Sequence, residues 1–231
     1  MSPTAVVLGV GPGLGLSVAH RFGREGYDVV LVSRSAQRHE GYLAGLAAQG
    51  VKARAFAADV RDPGQLRSTL DSIGPVDVVY YGPGATDLGE APEDIAVTTS
   101  EDARRAMGWL YPAIDVVQHV LPGVTERGGG LLFAGGLSAV RPMPMLGALA
   151  LSGAALRNYA LTLNAALAGK GVYAGTLTIG GLVERGDIHR AVTAAPEKFG
   201  EVRTLDPDAI ADVAWQMFVQ RDRAEEVFSV F

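Results

Sequence analysis

Residues 5–15 read Ala5-Val6-Val7-Leu8-Gly9-Val10-Gly11-Pro12-Gly13-Leu14-Gly15, and an amphipathic stretch follows with Leu14, Val18, Ala19 and Phe22 on one side. The apolar run predicts a buried strand, the glycines a tight turn, and the stretch beyond it a helix that Gly26 ends as a cap. A turn without side chains lets backbone N–H groups approach a pyrophosphate, and the helix N-terminus adds partial positive charge. The spacing is not Gly-x-Gly-x-x-Gly. From Gly9 that pattern ends on Leu14, and from Gly11 on Leu16. Gly-x-x-x-Gly-x-Gly fits, at Gly9, Gly13 and Gly15. Gly9, Gly11, Gly13, Leu14 and Gly15 are therefore candidate dinucleotide-binding positions.

The same short apolar runs recur along the chain. Strands are predicted at Ala5–Val10, Val29–Val32, Ala53–Ala57, Val76–Tyr81, Gly130–Ala134 and Val172–Ile179, with Val227–Phe231 as a last strand. Helices are predicted at Leu14–Glu25, Ala36–Gln49, Pro63–Ile73, Thr99–Val120, Leu146–Ala168 and Pro207–Gln220. Continuous apolar strands alternating with amphipathic helices imply an α/β fold. The expected architecture is a single-domain doubly wound parallel sheet of about seven strands, with helices on both faces. One domain is expected over residues 1–231. Two loops, Gly82–Thr98 and Gly180–Leu205, are long enough to carry function, and residues 180–205 are expected to form a substrate loop.

Composition narrows the chemistry. Hydrophobic residues make up 48% and charged residues 19%, which excludes a disordered chain. A net charge of −5 makes the chain a poor general binder of nucleic acid or anionic membrane. Cysteine is absent, so disulfides, thiolate zinc sites and a Cys nucleophile are impossible. The four histidines, His20, His39, His119 and His189, are scattered without ligand spacing, and no metal is expected. No signal peptide or membrane span is apparent, which fits a cytoplasmic protein.

The glycine spacing resembles that of the short-chain dehydrogenase/reductase family, and the resemblance covers nearly the whole chain. Ala58-Asp59-Val60 resembles the family segment after the third strand, whose Asp contacts adenine. Asp77-Val78-Val79 resembles the lead into its fourth strand, and Leu121-Pro122 the end of its long fourth helix. Met143-Pro144 and Ala154-Ala155-Leu156 look like the flanks of its catalytic segment. The resemblance implies NAD(P) binding, with Asp59, Val60, Gly82, Gly84 and Gly180 among the cofactor contacts. It also implies a homodimer or homotetramer packed through the two long helices.

The second strand ends in Ser33-Arg34, where NAD-preferring folds of this kind place a carboxylate for the ribose 2′-OH. A hydroxyl and a guanidinium suit a 2′-phosphate instead, with Arg38 one helical turn on. NADP(H) is therefore expected in preference to NAD(H).

The catalytic segment departs from the family, whose active site uses an Asn, a Ser and a Tyr-x-x-x-Lys. In the implied register the Tyr position is Leu149, the Lys position Gly153, the Ser position Gly136 and the Asn position near Trp109. Lysine occurs only at Lys52, Lys170 and Lys198, so no shift of register restores the pair. Leu149, Gly153, Leu156, Ala160, Leu163 and Leu167 instead form one apolar helix stripe, as expected of core or a subunit interface. Other family positions have changed too. Tyr81-Gly82-Pro83-Gly84 stands after the fourth strand, Gly180-Gly181 after the sixth, and Arg185 where a Thr is usual. Substitute catalytic groups are sought at Tyr81, Tyr111 and Ser138. Asp87, Arg141, Glu184 and His189 are further loop groups near the expected cleft.

Three functions follow as expectations. The first is an atypical NADP(H)-binding oxidoreductase acting on a small organic molecule. The second is a non-redox enzyme, a cyclase or isomerase, using the same pocket. The third is a nucleotide-sensing or scaffolding pseudoenzyme.

Overall fold

The computed structural model describes residues 2–83, 92–195, 197 and 202–230. β1 (Thr4–Leu8), β2 (Asp28–Ser33), β3 (Ala53–Ala57), β4 (Val78–Tyr81), β5 (Gly130–Gly136), β6 (Tyr173–Gly180) and, after a two-stranded ribbon, β9 (Glu225–Ser229) form one sheet. Its order is β3-β2-β1-β4-β5-β6-β9 and every pairing is parallel. The direction of winding reverses between β1 and β4, where Leu8 pairs with Val32 on one side and Tyr81 on the other. A crevice opens at such a switch point, beyond the carboxyl ends of the strands.

The helices are α1 (Leu14–Arg24), α2 (His39–Ala47), α3 (Pro63–Ile73), α4 (Ser100–Met107), α5 (Tyr111–Arg127), α6 (Gly147–Leu167), α7 (Asp187–Thr193) and α8 (Pro207–Gln220). Strand alternation divides the core between the two faces. Val6 and Leu8 join Val79 and Tyr81 in the layer of α3, α5 and α6. Ala5 and Val7 join Val78 and Tyr80 in the layer of α1 and α8. Each fully buried large aliphatic side chain contributes about 1.5–3 kcal/mol.

The long helix predicted over Thr99–Val120 is two helices. Thr99 and Asp102 cap α4 reciprocally, Gly108 ends it, and α5 starts afresh with Pro112 in its first turn. The chain then passes straight through Pro122 to Arg127. β1 stops at Leu8 because Gly9 takes φ +80°, and the N–H groups of Gly9 and Val10 both donate to the Val32 carbonyl. The last strand lies a little earlier than predicted, and Phe231 is outside the described residues. The 180–205 loop contains structure that the sequence did not suggest. Besides α7, it forms a ribbon of β7 (Leu182–Val183) and β8 (Thr204–Leu205).

At the sheet's outer border, Arg54 of β3 curls over Phe56 and donates to the carbonyls of Ser72 and Ile73 at the end of α3. The stripe on α6 divides in two. Leu156, Ala160 and Leu167 are buried, while Leu149 and Gly153 are only half-buried. Ala113, Val116, Val117 and Val120 of α5 lie in this chain's own core, so that face of the helix is not open to a second subunit. No described helix is long and apolar enough to cross a membrane.

Candidate cofactor and catalytic site

A cleft of about 530 Å³ lies over the β1–β4 switch point. Its walls include Gly9 and Gly11 of the glycine turn, Ser33, Arg34 and Arg38 beyond β2, Asp59 and Val60 beyond β3, and Gly82 beyond β4. These sequence-predicted positions converge although they span more than 70 residues, because parallel strands bring their carboxyl ends to one edge. Gly84 and Asp87 lie outside the described residues.

The glycines divide by task. A Cβ on Gly9 would stand 2.5 Å from Pro83 N and 2.8 Å from Gly82 C, so this position lets the β4 loop close against the turn. A Cβ on Gly15 would meet the Val10 Cα at 2.9 Å, which draws α1 down onto the strand end. A Cβ on Gly13 would lie 3.2 Å from both the Glu184 carbonyl oxygen and the Gly186 backbone. Gly11 alone of this group has nothing among the described residues within 4 Å of its ideal Cβ. Leu14 is a core residue, and Gly180 packs on Leu137; neither side faces the cleft. In the first turn of α1 the Leu16 and Ser17 N–H groups donate to the Gly11 and Gly13 carbonyls, so Leu14 and Gly15 supply the donors at the point where a pyrophosphate would lie.

At the far end of the cleft, the Ser33 hydroxyl donates to the Ser35 carbonyl and lies 2.8 Å from Nε2 of His39, a histidine that burial holds below its ordinary pKa. Arg38 Nη1 donates to Asp187 Oδ2 at 2.7 Å, which carries the Arg38 pKa upward and the Asp187 pKa downward. Asp59 is held below the usual carboxylate range by Arg61, whose guanidinium also lies 4.8 Å over the Trp109 ring. His39, Trp109 and Asp187 were not singled out as cofactor neighbours in the sequence. Asp187 follows Arg38 by 149 residues and no local pattern links the two.

The substitute catalytic groups do not gather. Tyr81 is 1% exposed, and its phenol donates to the Trp109 carbonyl at 2.8 Å. Burial, reinforced by Asp115, raises its pKa. Tyr81 is thus an aromatic support under the cleft and not a proton donor within it. Tyr111 is 56% exposed at the start of α5 and is not among the cleft walls. Ser138 differs. Its Oγ lies 3.7 Å from an ideal Cβ on Gly136 and 3.8 Å from one on Gly153. One hydroxyl therefore stands between two positions where the resemblance implied polar side chains. Of the remaining loop groups, Glu184 accepts from Thr204, Arg141 is exposed, and His189 Nδ1 is buried with no hydrogen-bond partner among the described residues.

The family model described as short chain dehydrogenase matches residues 3–196. This chain belongs to the short-chain dehydrogenase family. Curated relatives of this short-chain dehydrogenase include a 3-dehydrosphinganine reductase of Arabidopsis thaliana, 30% identical over 128 residues, or 53% of this chain and 37% of that protein. A short chain dehydrogenase of Pseudocercospora fijiensis is 29% identical over 187 residues, 77% of this chain and 59% of the relative. The chain thus spans roughly 37–59% of the length of these two relatives. Among solved structures, an NADPH-bound short chain oxidoreductase from Pseudomonas aeruginosa PAO1 superposes with TM-score 0.82 at 22% identity, covering 98% of this chain and 95% of that one. L-Sorbose reductase from Gluconobacter frateurii, complexed with NADPH and L-sorbose, gives 0.81 at 20% identity, covering 99% and 95%. These likenesses establish the fold of this short-chain dehydrogenase: a seven-stranded parallel sheet with helices on both sides.

Proposed function

We propose that the chain is an NADP(H)-binding oxidoreductase that acts on a small organic molecule without the family's Asn, Ser, Tyr and Lys. One observation carries the reading. The cleft at the strand ends presents Ser33, Arg34 and Arg38 where a 2′-phosphate would lie, and β2 ends without a carboxylate. Two guanidiniums offer charge-assisted, fork-shaped donation to phosphate oxygens. The donor set and the open space beside Gly11 fit an NADP(H) molecule laid from Arg34 across the turn toward Gly82. The Pseudomonas aeruginosa neighbour, whose structure holds NADPH, is itself described as containing an atypical catalytic center.

When bound, the cofactor supplies or accepts a hydride. Gly11 and Gly13, with Leu14 and Gly15 at the start of α1, would hold the pyrophosphate through backbone N–H groups, while the Gly9 N–H stays on the Val32 carbonyl. Asp59 and Val60 would flank the adenine, and Gly82 borders the cleft where the ribose would pass. Beside the vacated Ser and Lys positions, Gly136 and Gly153, the available hydroxyl is Ser138, which would orient substrate and pass a proton between it and water at Oγ. Loss of a dedicated general acid slows a reaction by ~10²–10⁴-fold. Alkene or iminium acceptors, which need less proton assistance than ketones, suit this site. Exposed Leu151 on α6, with Tyr111 and Ile114 on α5, offers apolar surface for a homodimer or homotetramer.

Trp109 lines the cleft, so its fluorescence reports occupancy. Titration is expected to show tighter binding of NADPH than of NADH. Arg34→Ala removes that preference by about tenfold or more, the size of a charge-assisted hydrogen bond. Equal affinity for the two cofactors in the wild type would refute the preference.

A second reading rests on the placement of Tyr81 inside the core: a nucleotide-binding protein that transfers no hydride. NADPH binding with no absorbance change across a panel of carbonyl, alkene and imine substrates would favour it. Conversion of substrate without cofactor oxidation would favour non-redox chemistry in the same pocket.

A further inference from the structure

We infer that Asp187 is an internal counter-ion that occupies the 2′-phosphate subsite and must be displaced when NADP(H) binds. This inference rests on the NADP(H) reading above. Arg38 and Asp187 both line the cleft, on opposite sides of it in the chain order: Arg38 just before α2, Asp187 as the first residue of α7. Their ion pair spans 2.7 Å and their side chains are 50% and 39% exposed. A half-exposed pair of this kind is weak and exchangeable. The Asp187 carboxylate sits on the guanidinium that a phosphate would claim. A phosphate monoester carries about −1.5 to −2 charge near neutrality and three acceptor oxygens, so it outcompetes a single carboxylate for the same fork.

A third residue makes the exchange feasible. Asp187 is also paired with Arg190, one turn along α7. Losing Arg38 therefore does not strand the carboxylate, because Arg190 keeps it neutralised. A ligand that ends in a ribose 2′-OH brings no anion to take Arg38, so for it the pair stays closed. The geometry thus makes Asp187 a specificity-determining residue that acts through Arg38. It also couples the adenosine end of the cleft to the loop of α7. That loop is fixed elsewhere by the Glu184–Thr204 hydrogen bond and by Arg185, which reaches Asp208 at 2.8 Å and Ser17 at 3.2 Å.

The test uses adenosine 2′,5′-bisphosphate and ADP as probes on the full chain, followed by calorimetry. The wild type is expected to prefer the bisphosphate. Asp187→Asn is expected to bind it about two- to fivefold more tightly, with ADP unchanged, which is the range set by a half-exposed ion pair. Arg190→Gln is expected to act in the opposite direction, weakening the bisphosphate alone, because the displaced carboxylate then lacks its second partner. A general loss of folding cannot produce opposite signs in two variants. Asp187→Asn leaving the bisphosphate unchanged or weaker, in a wild type that prefers it, would overturn the counter-ion. Asp187→Asn weakening ADP would show instead that this carboxylate serves a 2′-OH. A wild type that prefers neither probe would remove the NADP(H) reading and the counter-ion with it.

Discussion

The Tyr81 hydroxyl and the Trp109 carbonyl are joined by a 2.8 Å hydrogen bond that ties the end of β4 to the bend between α4 and α5. This bond fixes the floor of the cleft and takes the phenol out of reach of a substrate. Tyr81→Phe is therefore expected to leave turnover and cofactor affinity within about twofold of the wild type. It should lower unfolding free energy by roughly 0.5–1.5 kcal/mol, because the partly buried Trp109 carbonyl loses its partner. Urea denaturation and steady-state rates read the two effects separately. A large fall in rate at unchanged stability would return Tyr81 to the catalytic machinery.

The glycine turn separates fold from ligand contact. Gly9→Ala forces a side chain into a φ of +80° and against Pro83, so it is expected to destabilise by well over ~2 kcal/mol. Gly11→Ala meets no atom of the described residues within 4 Å and is expected to alter stability by less than ~1 kcal/mol. The same methyl projects into the space proposed for the pyrophosphate, so NADPH affinity should fall. Thermal unfolding and fluorescence titration of the two variants decide this. Normal NADPH binding by Gly11→Ala would place the pyrophosphate elsewhere.

Restoring the family's pair is structurally permitted. Leu149 is half-buried, and a Cβ on Gly153 makes only ordinary contacts with Ser138 and Ala139. Replacing a mid-helix glycine also gains about 0.5–1 kcal/mol of helix propensity. The double variant Leu149→Tyr, Gly153→Lys places a phenol and an ammonium four residues apart on one helix face. It is expected to reduce simple ketones with NADPH faster than the wild type, by up to ~10²–10⁴-fold. A folded variant that still binds NADPH but gains no ketone reduction would mean that the rest of the site no longer holds substrate against this helix.

A pH dependence follows from the far side of α6. Arg157 holds Glu225 through two contacts of 2.6 Å, and Thr178 adds a third at 2.7 Å. Arg157 first, then Thr178, hold this carboxyl below its ordinary value of 4.5, against the opposing effect of burial. A carboxyl depressed in the folded state stabilises it above the unfolded value. That contribution fades as pH falls from 4.5 through the lowered value. Glu225→Gln is expected to be about 1–3 kcal/mol less stable than wild type near neutrality, the difference narrowing in acid. A gap that stays constant down to about pH 3 would refute the linkage.

Much of this was legible because it is local. The run Ala5–Leu8, the glycines after it and the helix beyond them form one continuous pattern, and the Ser33-Arg34 strand end lies where strand length puts it. Tyr81 was also readable in principle. It shares a strand face with Val79, and that parity sends both into the layer beneath α5. A hydroxyl on a core-facing position announces a buried hydrogen bond, but not which carbonyl receives it. The partnership of Arg38 with Asp187 had no such signal, since it depends on where a long connection returns to the sheet edge. The same holds for Leu182–Val183 against Thr204–Leu205, whose two-residue strands are too short to leave a periodic trace. The break at Gly108 was masked because apolar spacing continues across it into α5.

The hooked side chain of Arg54 bears on how the protein behaves when crowded. β3 is the terminal strand of its sheet, and a terminal strand leaves a row of backbone groups open to any passing chain. Arg54 of that strand reaches the Ser72 and Ile73 carbonyls, which fixes a cation on the border strand. An incoming strand must strip that cation away before it can pair. A charge so placed is one of the devices that keep border strands from pairing with other chains, and removing Arg54 is expected to show as turbidity in concentrated solution.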